Sequence, residues 1–283
     1  MPELPEVETI RRTLVEDLVG RCVQRVVITG PHVTGPVTPT AFRTALHGRV
    51  FDGVARRGKY LVFCFREDGR RPPIGLIAHL RMTGRMVYVG RGERSGMDGA
   101  HTHATFHLAG GGRLLFHDVR KFGRLLLVDA PLVSAHLPPG RDPLLDGLTP
   151  EDLAAVLGNR HARIKVLLLR QDLVAGLGNI YADESLHRAG LHPALRGVDI
   201  SADGWRRLAA AIEDVLGEAL VRQGTTLMDY RTGRGERGSF GAFLRVYGRA
   251  GEPCRACGTP IVGIRLGQRS TCFCPHCQPG DCV

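Results

Sequence analysis

Residues 5–19 place Val7, Ile10, Leu14 and Leu18 at helical spacing. Arg11, Arg12, Glu16 and Asp17 lie off that stripe, and Gly20 is positioned to end the helix. From residue 22 to 129 the rhythm changes to short runs rich in β-formers: 22–29, 49–55, 59–65, 74–80, 85–89, 102–108, 113–117 and 123–129. Gly and Pro punctuate them, which predicts a β-sandwich or barrel-like domain behind an N-terminal helix. Residues 131–143 hold Pro131, Pro138, Pro139 and Pro143 without periodicity, and the stretch 131–147 reads as an interdomain linker. Thr149 then caps a helix with Pro150 at its first position and Asp152 three residues on. Further helices are predicted at 161–170, 179–189 and 201–222. Residues 224–241, rich in Gly and Arg, read as a mobile loop, and 242–283 as a small cysteine module. No internal repeat is present.

Composition narrows the class. With 283 residues, 43% of them hydrophobic, the chain has ample material for a core and more readily forms two domains than one. A formal charge of +10 points to a polyanionic partner, nucleic acid ahead of an anionic membrane surface. No apolar run reaches the 18 residues that a membrane span needs. The N-terminus carries acids where a secretory signal has a basic and then an apolar region, so the reading is cytosolic. Of 38 basic residues apart from His, only Lys59, Lys121 and Lys165 are lysines. Arg cannot replace Lys where a compact, deprotonatable ammonium is required, which singles these three out.

Six of the eight cysteines lie in the last 30 residues, a density that favours metal over disulfides in a cytosolic chain. Cys254-Arg-Ala-Cys257 is separated by sixteen residues from Cys274-Pro-His-Cys277. Two such knuckles place four thiolates around one structural Zn²⁺ with no open position. The metal lets a short module fold with little core. Cys272, Cys282 and His276 remain competing ligands nearby. Arg265 and Arg269 lie between the knuckles, where a hairpin tip reaches a phosphate backbone or simply faces water.

The first six residues, Met1-Pro2-Glu3-Leu4-Pro5-Glu6, carry the sharpest chemistry. Once Met1 is removed, Pro2 exposes a secondary amine beside the acid Glu3, a nucleophile that can form a cationic imine. Ala175-Gly-Leu-Gly-Asn179 is a tight turn opening a helix, either a phosphate site or a plain inter-helix turn. Met82 in HLRMTG and Phe122 in DVRKFG sit in strand-end loops. They either pack at the rim or wedge into a base stack, with Arg120 filling the space of an extruded base.

Taken together, PELPEVETIRR (2–12), RRGKYL (56–61), HLRMTG (79–84), DVRKFG (118–123), AGLGNIYADE (175–184), VYGRAGEPC (246–254) and CPHCQ (274–278) resemble formamidopyrimidine-DNA glycosylases from end to end. The resemblance implies an α+β multidomain chain. Residues 1–130 would form a catalytic domain of an N-terminal helix plus β-sandwich. A helix-two-turn-helix domain would span 148–241, with a lesion-capping loop at 224–241, and a β-hairpin zinc finger 242–283. It implies excision of oxidised purines (8-oxoguanine, formamidopyrimidines) from damaged double-stranded DNA, then strand cleavage by β,δ-elimination. The continuation PEVE favours this purine branch over the related enzymes for oxidised pyrimidines. A bacterial, cytoplasmic, nucleoid-associated monomer is implied, with one zinc ion and no redox or nucleotide cofactor.

By the same resemblance Pro2 is the nucleophile and Glu3 the general acid, with Glu6, Lys59 and Arg269 completing the catalytic set. Met82, Arg120 and Phe122 fill the hole left by the everted base. Asn179, Lys59 and Arg269 grip phosphates. Lys165 lies near the damaged base, and His103 contacts a phosphate. Cys272 stands where the family usually has an aromatic residue.

Overall fold

The computed structural model describes residues 1–67, 69, 71–226 and 230–280. It divides into two compact units: Met1–Leu137 with Arg222–Ser239, and Pro138–Val221 with Phe240–Val283.

The first unit opens with α1 (Leu4–Leu18), whose start is favoured by Pro5 in the first turn and by Glu6 near the positive end of the helix. Eight strands follow: β1 (Val23–Ile28), β2 (Phe51–Arg57), β3 (Tyr60–Phe65), β4 (Ile74–His79), β5 (Gly84–Val89), β6 (Thr102–Leu108), β7 (Arg113–Asp118) and β8 (Arg124–Asp129). They form two antiparallel four-stranded sheets, ordered β1-β6-β7-β5 and β2-β3-β4-β8. Val7, Ile10, Leu14 and Leu18 from α1 join Phe51, Phe63, Leu76, Phe106 and Phe116 in one core. The apolar stripe of the helix is therefore what seats its N-terminus on the β-sandwich.

Between β1 and β2 lies α2 (Pro39–Leu46), in a region whose sequence reads as β-rich. Its cap is a local signal, since Thr38 Oγ1 accepts from Ala41 N at 3.2 Å and Pro39 opens the helix.

The second unit contains α3 (Pro150–Leu157), α4 (Ile164–Leu168), α5 (Asn179–Ala189), α6 (Ala202–Val221) and the hairpin β9 (Val262–Leu266)–β10 (Arg269–Phe273). The capping box at α3 is reciprocal: Asp152 N donates to Thr149 Oγ1, and Thr149 N to Asp152 Oδ2, both at 3.1 Å. The helix expected over 161–170 shortens to α4 because flanking backbone pairs elsewhere, Ile164 N donating to Leu195 O at 2.6 Å. No helix among the described residues is long and apolar enough to cross a membrane.

Two boundaries differ from the expected ones. Ala130–His136 forms a 3-10 helix within the first unit, so only part of the Pro-rich stretch connects the units. Residues 222–239, assigned above to the helical domain, pack with the first unit. Tyr88 N donates to Gly233 O at 2.8 Å and Gly233 N to Thr13 Oγ1 at 3.0 Å, while Arg234 pairs with Glu16 and Asp17. The part of this Gly/Arg-rich segment that is described is thus tied down along α1. Residues 227–229 of the expected lesion-capping loop lie outside the described residues.

Candidate functional site

In the first unit, Pro2, Glu3, Glu6 and Lys59 are all buried. Pro2 and Glu3 sit immediately ahead of α1, where the helix end disfavours positive charge. Glu6 acts on the backbone: Oε2 accepts from Glu3 N at 2.8 Å and Oε1 from Thr225 N at 2.7 Å. One carboxylate therefore joins the chain start to the 222–239 segment. Gly224 is required there twice over. Its φ is +81°, and a Cβ would fall 2.7 Å from Glu6 Oε1. Lys59 occupies the turn between β2 and β3. Beyond the expected residues, buried His79 lies in the field of Lys59 and Arg81. Burial first, and then these two charges, pull its pKa down to about 3, so it is neutral.

The wedge candidates converge around a residue whose role the sequence does not reveal. Asp118 is fully buried at the end of β7. Its Oδ1 accepts from the Thr83 hydroxyl and from Arg120 N, and its Oδ2 from Gly123 N at 2.7 Å. The Met82–Thr83 turn and the Arg120–Phe122 turn are thereby joined. Met82 is 40% and Phe122 48% exposed, an unfavourable display for large apolar side chains. Arg81 and Lys121, each one residue before a wedge candidate, adopt φ of +55° and +60°. Such left-handed backbone away from glycine persists where surroundings enforce it and is common at functional sites. The Arg120 guanidinium lies 4.7 Å over the Phe122 ring.

His103, expected at a phosphate, is buried, and its Nε2 faces Asp118 O at 2.8 Å, so the ring supports this turn from within.

In the second unit, Gly176 (φ +101°) and Gly178 lead into α5 at Asn179. Gln171, another residue that local pattern does not single out, fixes this turn. Its Oε1 accepts from Gly176 N at 2.9 Å, and its Nε2 donates to Leu177 O at 2.9 Å. Asn179 Nδ2 donates to Ser270 O at 2.9 Å, bringing the hairpin beside the helix start. Arg269 is exposed just after a two-residue turn in which Gly267 and Gln268 both have positive φ.

Lys165, expected near the damaged base, lies inside this unit. Its side chain is fully buried, and Nζ meets Asp183 Oδ1 at 2.7 Å, Ser270 O at 2.6 Å and Thr271 Oγ1 at 2.8 Å. These contacts tie together α4, α5 and β10. Burial raises the Asp183 carboxyl, while Lys165 and the Cys272 N–H, 3.0 Å from Oδ2, pull it back.

The four cysteines Cys254, Cys257, Cys274 and Cys277 place their Sγ atoms within 4.8 Å of one another. Three of the separations are 3.4, 3.5 and 3.9 Å. A tetrahedron with Zn–S of about 2.3 Å has S···S edges of about 3.8 Å, so the thiolates fit one structural zinc ion. Cys272 stands outside this group, His276 is exposed, and Cys282 lies outside the described residues. His187 of α5 approaches Cys254, Nε2 to Sγ at 3.7 Å, while Glu184 accepts from the N–H groups of Arg245, Val246 and Tyr247 at 2.8–2.9 Å. One helix thus carries Asn179 at its start and braces the metal module along its length.

Family models match in chain order: the formamidopyrimidine-DNA glycosylase N-terminal domain at residues 1–125, its H2TH domain at 139–230, and the zinc finger found in FPG and IleRS at 251–280. The formamidopyrimidine-DNA glycosylase of Symbiobacterium thermophilum is 46% identical, over 99% of this chain and 90% of that one. That of Desulfitobacterium hafniense is 43% identical over 98% and 100%. Among solved structures, Lactococcus lactis Fpg in complex with an abasic-site DNA matches with a TM-score of 0.88 at 33% identity, covering 98% of this chain and all of that one. MutM in complex with DNA containing carbocyclic 8-oxo-G matches at 0.87 and 33%, over 99% and 100%. The chain belongs to the formamidopyrimidine-DNA glycosylase family.

Proposed function

We infer that this DNA glycosylase of base excision repair removes oxidised purines, 8-oxoguanine and formamidopyrimidines, from duplex DNA and then cuts the strand. The observation that carries the reading is Pro2 buried directly ahead of α1 with Glu3 beside it. Removal of Met1 turns the Pro2 nitrogen from an amide into an amine. The helix end and the Lys59 ammonium favour its neutral form, which attack requires. The target C1′ is inaccessible inside a duplex, so the nucleotide is everted, at a few kcal/mol of unstacking. Met82 and Phe122 enter the stack, and Arg120 faces the unpaired base. Asn179 and Arg269 grip phosphates, and the 224–241 segment covers the lesion.

The Pro2 nitrogen bonds to C1′ as the glycosidic bond breaks, and the base leaves with a proton. Glu3 delivers a proton to O4′ and the sugar ring opens, leaving an iminium between Pro2 and C1′. That cation acidifies C2′–H. Loss of this proton expels the 3′ phosphate, a second elimination expels the 5′ phosphate, and water releases Pro2 from the sugar remnant. The zinc ion holds the finger and supplies no chemistry. The residues invoked all lie in one chain, which suits a monomer acting on the bacterial nucleoid.

The test is borohydride trapping on an 8-oxoguanine duplex. Met1-processed protein is expected to give a covalent adduct, and Pro2→Gly or Met1-retaining protein none. Absence of an adduct from processed protein overturns the mechanism. A second reading, oxidised pyrimidines as main substrate, has one supporting observation: wild-type Lactococcus lactis Fpg, a TM-score 0.85 match, is solved with an oxidised pyrimidine-containing DNA. Competition between 8-oxoguanine and thymine glycol duplexes decides between the two.

A further inference from the structure

Arg56, near the end of β2, is a buried cation that the scheme above does not use. Its Nε lies 3.1 Å from Glu8 Oε2, a residue 48 positions away on α1. Its Nη1 donates to Gly58 O at 3.0 Å. Glu8 is itself buried and already has Arg11 and Arg12 on its own helix, at 2.8 and 2.9 Å. A third guanidinium brought in from the sheet is not needed to neutralise it, and burying one carries a desolvation cost. What Arg56 adds is a connection. Its planar fork has one arm on the helix and the other on a carbonyl, which a lysine's single ammonium does not reproduce.

That carbonyl belongs to the Gly58–Lys59 peptide. Gly58 has φ +55° and forms the tip of the β2–β3 hairpin, closed by the Arg57–Tyr60 pair. Rotation of this peptide would swing the Lys59 side chain. Arg56 holds its oxygen, and Glu8 holds Arg56 to the helix that starts at Pro2 and Glu3.

We propose that Glu8 and Arg56 are positioning residues, a strap from α1 to the Gly58–Lys59 peptide that sets where the Lys59 ammonium stands relative to the Pro2 amine. The proposal rests on the reading of Pro2 as nucleophile. If the strap slackens, Lys59 no longer favours the neutral amine, and imine formation moves to higher pH. A strap that only seats the helix on the sheet would lower the melting temperature and leave this pH profile in place.

The experiment follows borohydride-trapped adduct formation against pH on a duplex with a preformed abasic site, under single-turnover conditions. Here the Pro2 amine adds to the C1′ aldehyde, water leaves, and hydride reduces the iminium to a stable tertiary amine. The parent, Arg56→Met, Arg56→Lys and Lys59→Met proteins are compared, with the double variant Arg56→Met/Lys59→Met closing a cycle. Thermal unfolding and affinity for undamaged duplex are measured alongside. Arg56→Met is expected to slow trapping at neutral pH by about ten- to a hundredfold and to move the rising limb to higher pH. In the Lys59→Met background the same change adds little. Arg56→Lys keeps a cation on Glu8 and so guards against simple misfolding. It is expected to restore the melting temperature but not the pH profile.

Coincident pH profiles for parent and Arg56→Met, or equal slowing by Arg56→Met with and without Lys59, overturn the strap alone. No adduct from the parent overturns the Pro2 reading and the strap with it.

Discussion

Lys165→Met tests whether this lysine serves the fold or the DNA. Methionine fills most of the volume but withdraws the ammonium from three partners at 2.6–2.8 Å: Asp183 Oδ1, Ser270 O and Thr271 Oγ1. The Asp183 carboxylate, almost fully buried, is then left with the Cys272 N–H at 3.0 Å. Breaking a buried pair from one side costs about 3–5 kcal/mol, far more than the intact pair contributes over an apolar substitute. For a unit of this size that corresponds to a fall of about 10–20 °C in its melting temperature. Lys165→Met/Asp183→Asn removes both charges and is expected to recover at least about half of the loss, the signature of direct coupling. Calorimetry or circular dichroism reads the melting temperature, and excision of 8-oxoguanine is assayed well below the transition. The reasoning fails if Lys165→Met melts with the parent while losing excision, since the ammonium would then be acting on DNA and not on Asp183.

Chelation of zinc is expected to unfold the 251–280 module and abolish duplex binding, with excess Zn²⁺ restoring both, followed by circular dichroism and electrophoretic shift. Gly224→Ala places a methyl group 2.7 Å from Glu6 Oε1 at a φ of +81°. It is expected to cost about 1–3 kcal/mol and to reduce 8-oxoguanine excision more than abasic-site cleavage, read as the ratio of the two rates. On acidification, His79 and Glu8 act in the same direction. His79 has its pKa lowered from 6.5 to about 3, and folding excludes its proton, so stability is complete above 6.5 and is lost as pH falls toward 3. Burial opposes ionisation of Glu8, but Arg11, Arg12 and Arg56 bring it to about 2, and its contribution is lost between 4.5 and 2. Urea midpoints measured from pH 7 to 3 are expected to fall; a profile flat from 6.5 to 4.5 contradicts the His79 assignment, and one flat below 4.5 contradicts both.

The elements that could be read from sequence are those whose information is local. The stripe on α1, the strand runs, the Thr149 capping box and the paired CxxC knuckles each declare themselves within a few residues. Helix α2 carried the same kind of signal at Thr38-Pro39, hidden inside a β-rich stretch. What escaped detection is non-local. Lys165 is identifiable as special by its rarity, but its partners lie at Asp183 and at Ser270–Thr271, and only the folded chain brings them together. Asp118, Gln171 and Glu184 work chiefly by bonding to backbone N–H and C=O groups, which leaves no pattern among side chains. The 222–239 segment looked loose because Gly and Arg predominate. It is held by Arg234 on α1, by Gly233 against Tyr88 and Thr13, and by Thr225 against Glu6.

The most direct test of the central claim is where the trapped DNA is attached. The borohydride-reduced adduct of Met1-processed protein is digested and mapped by mass spectrometry. The account predicts the sugar remnant on the nitrogen of Pro2, in the N-terminal peptide. Attachment at Lys59 or at any other amine contradicts it.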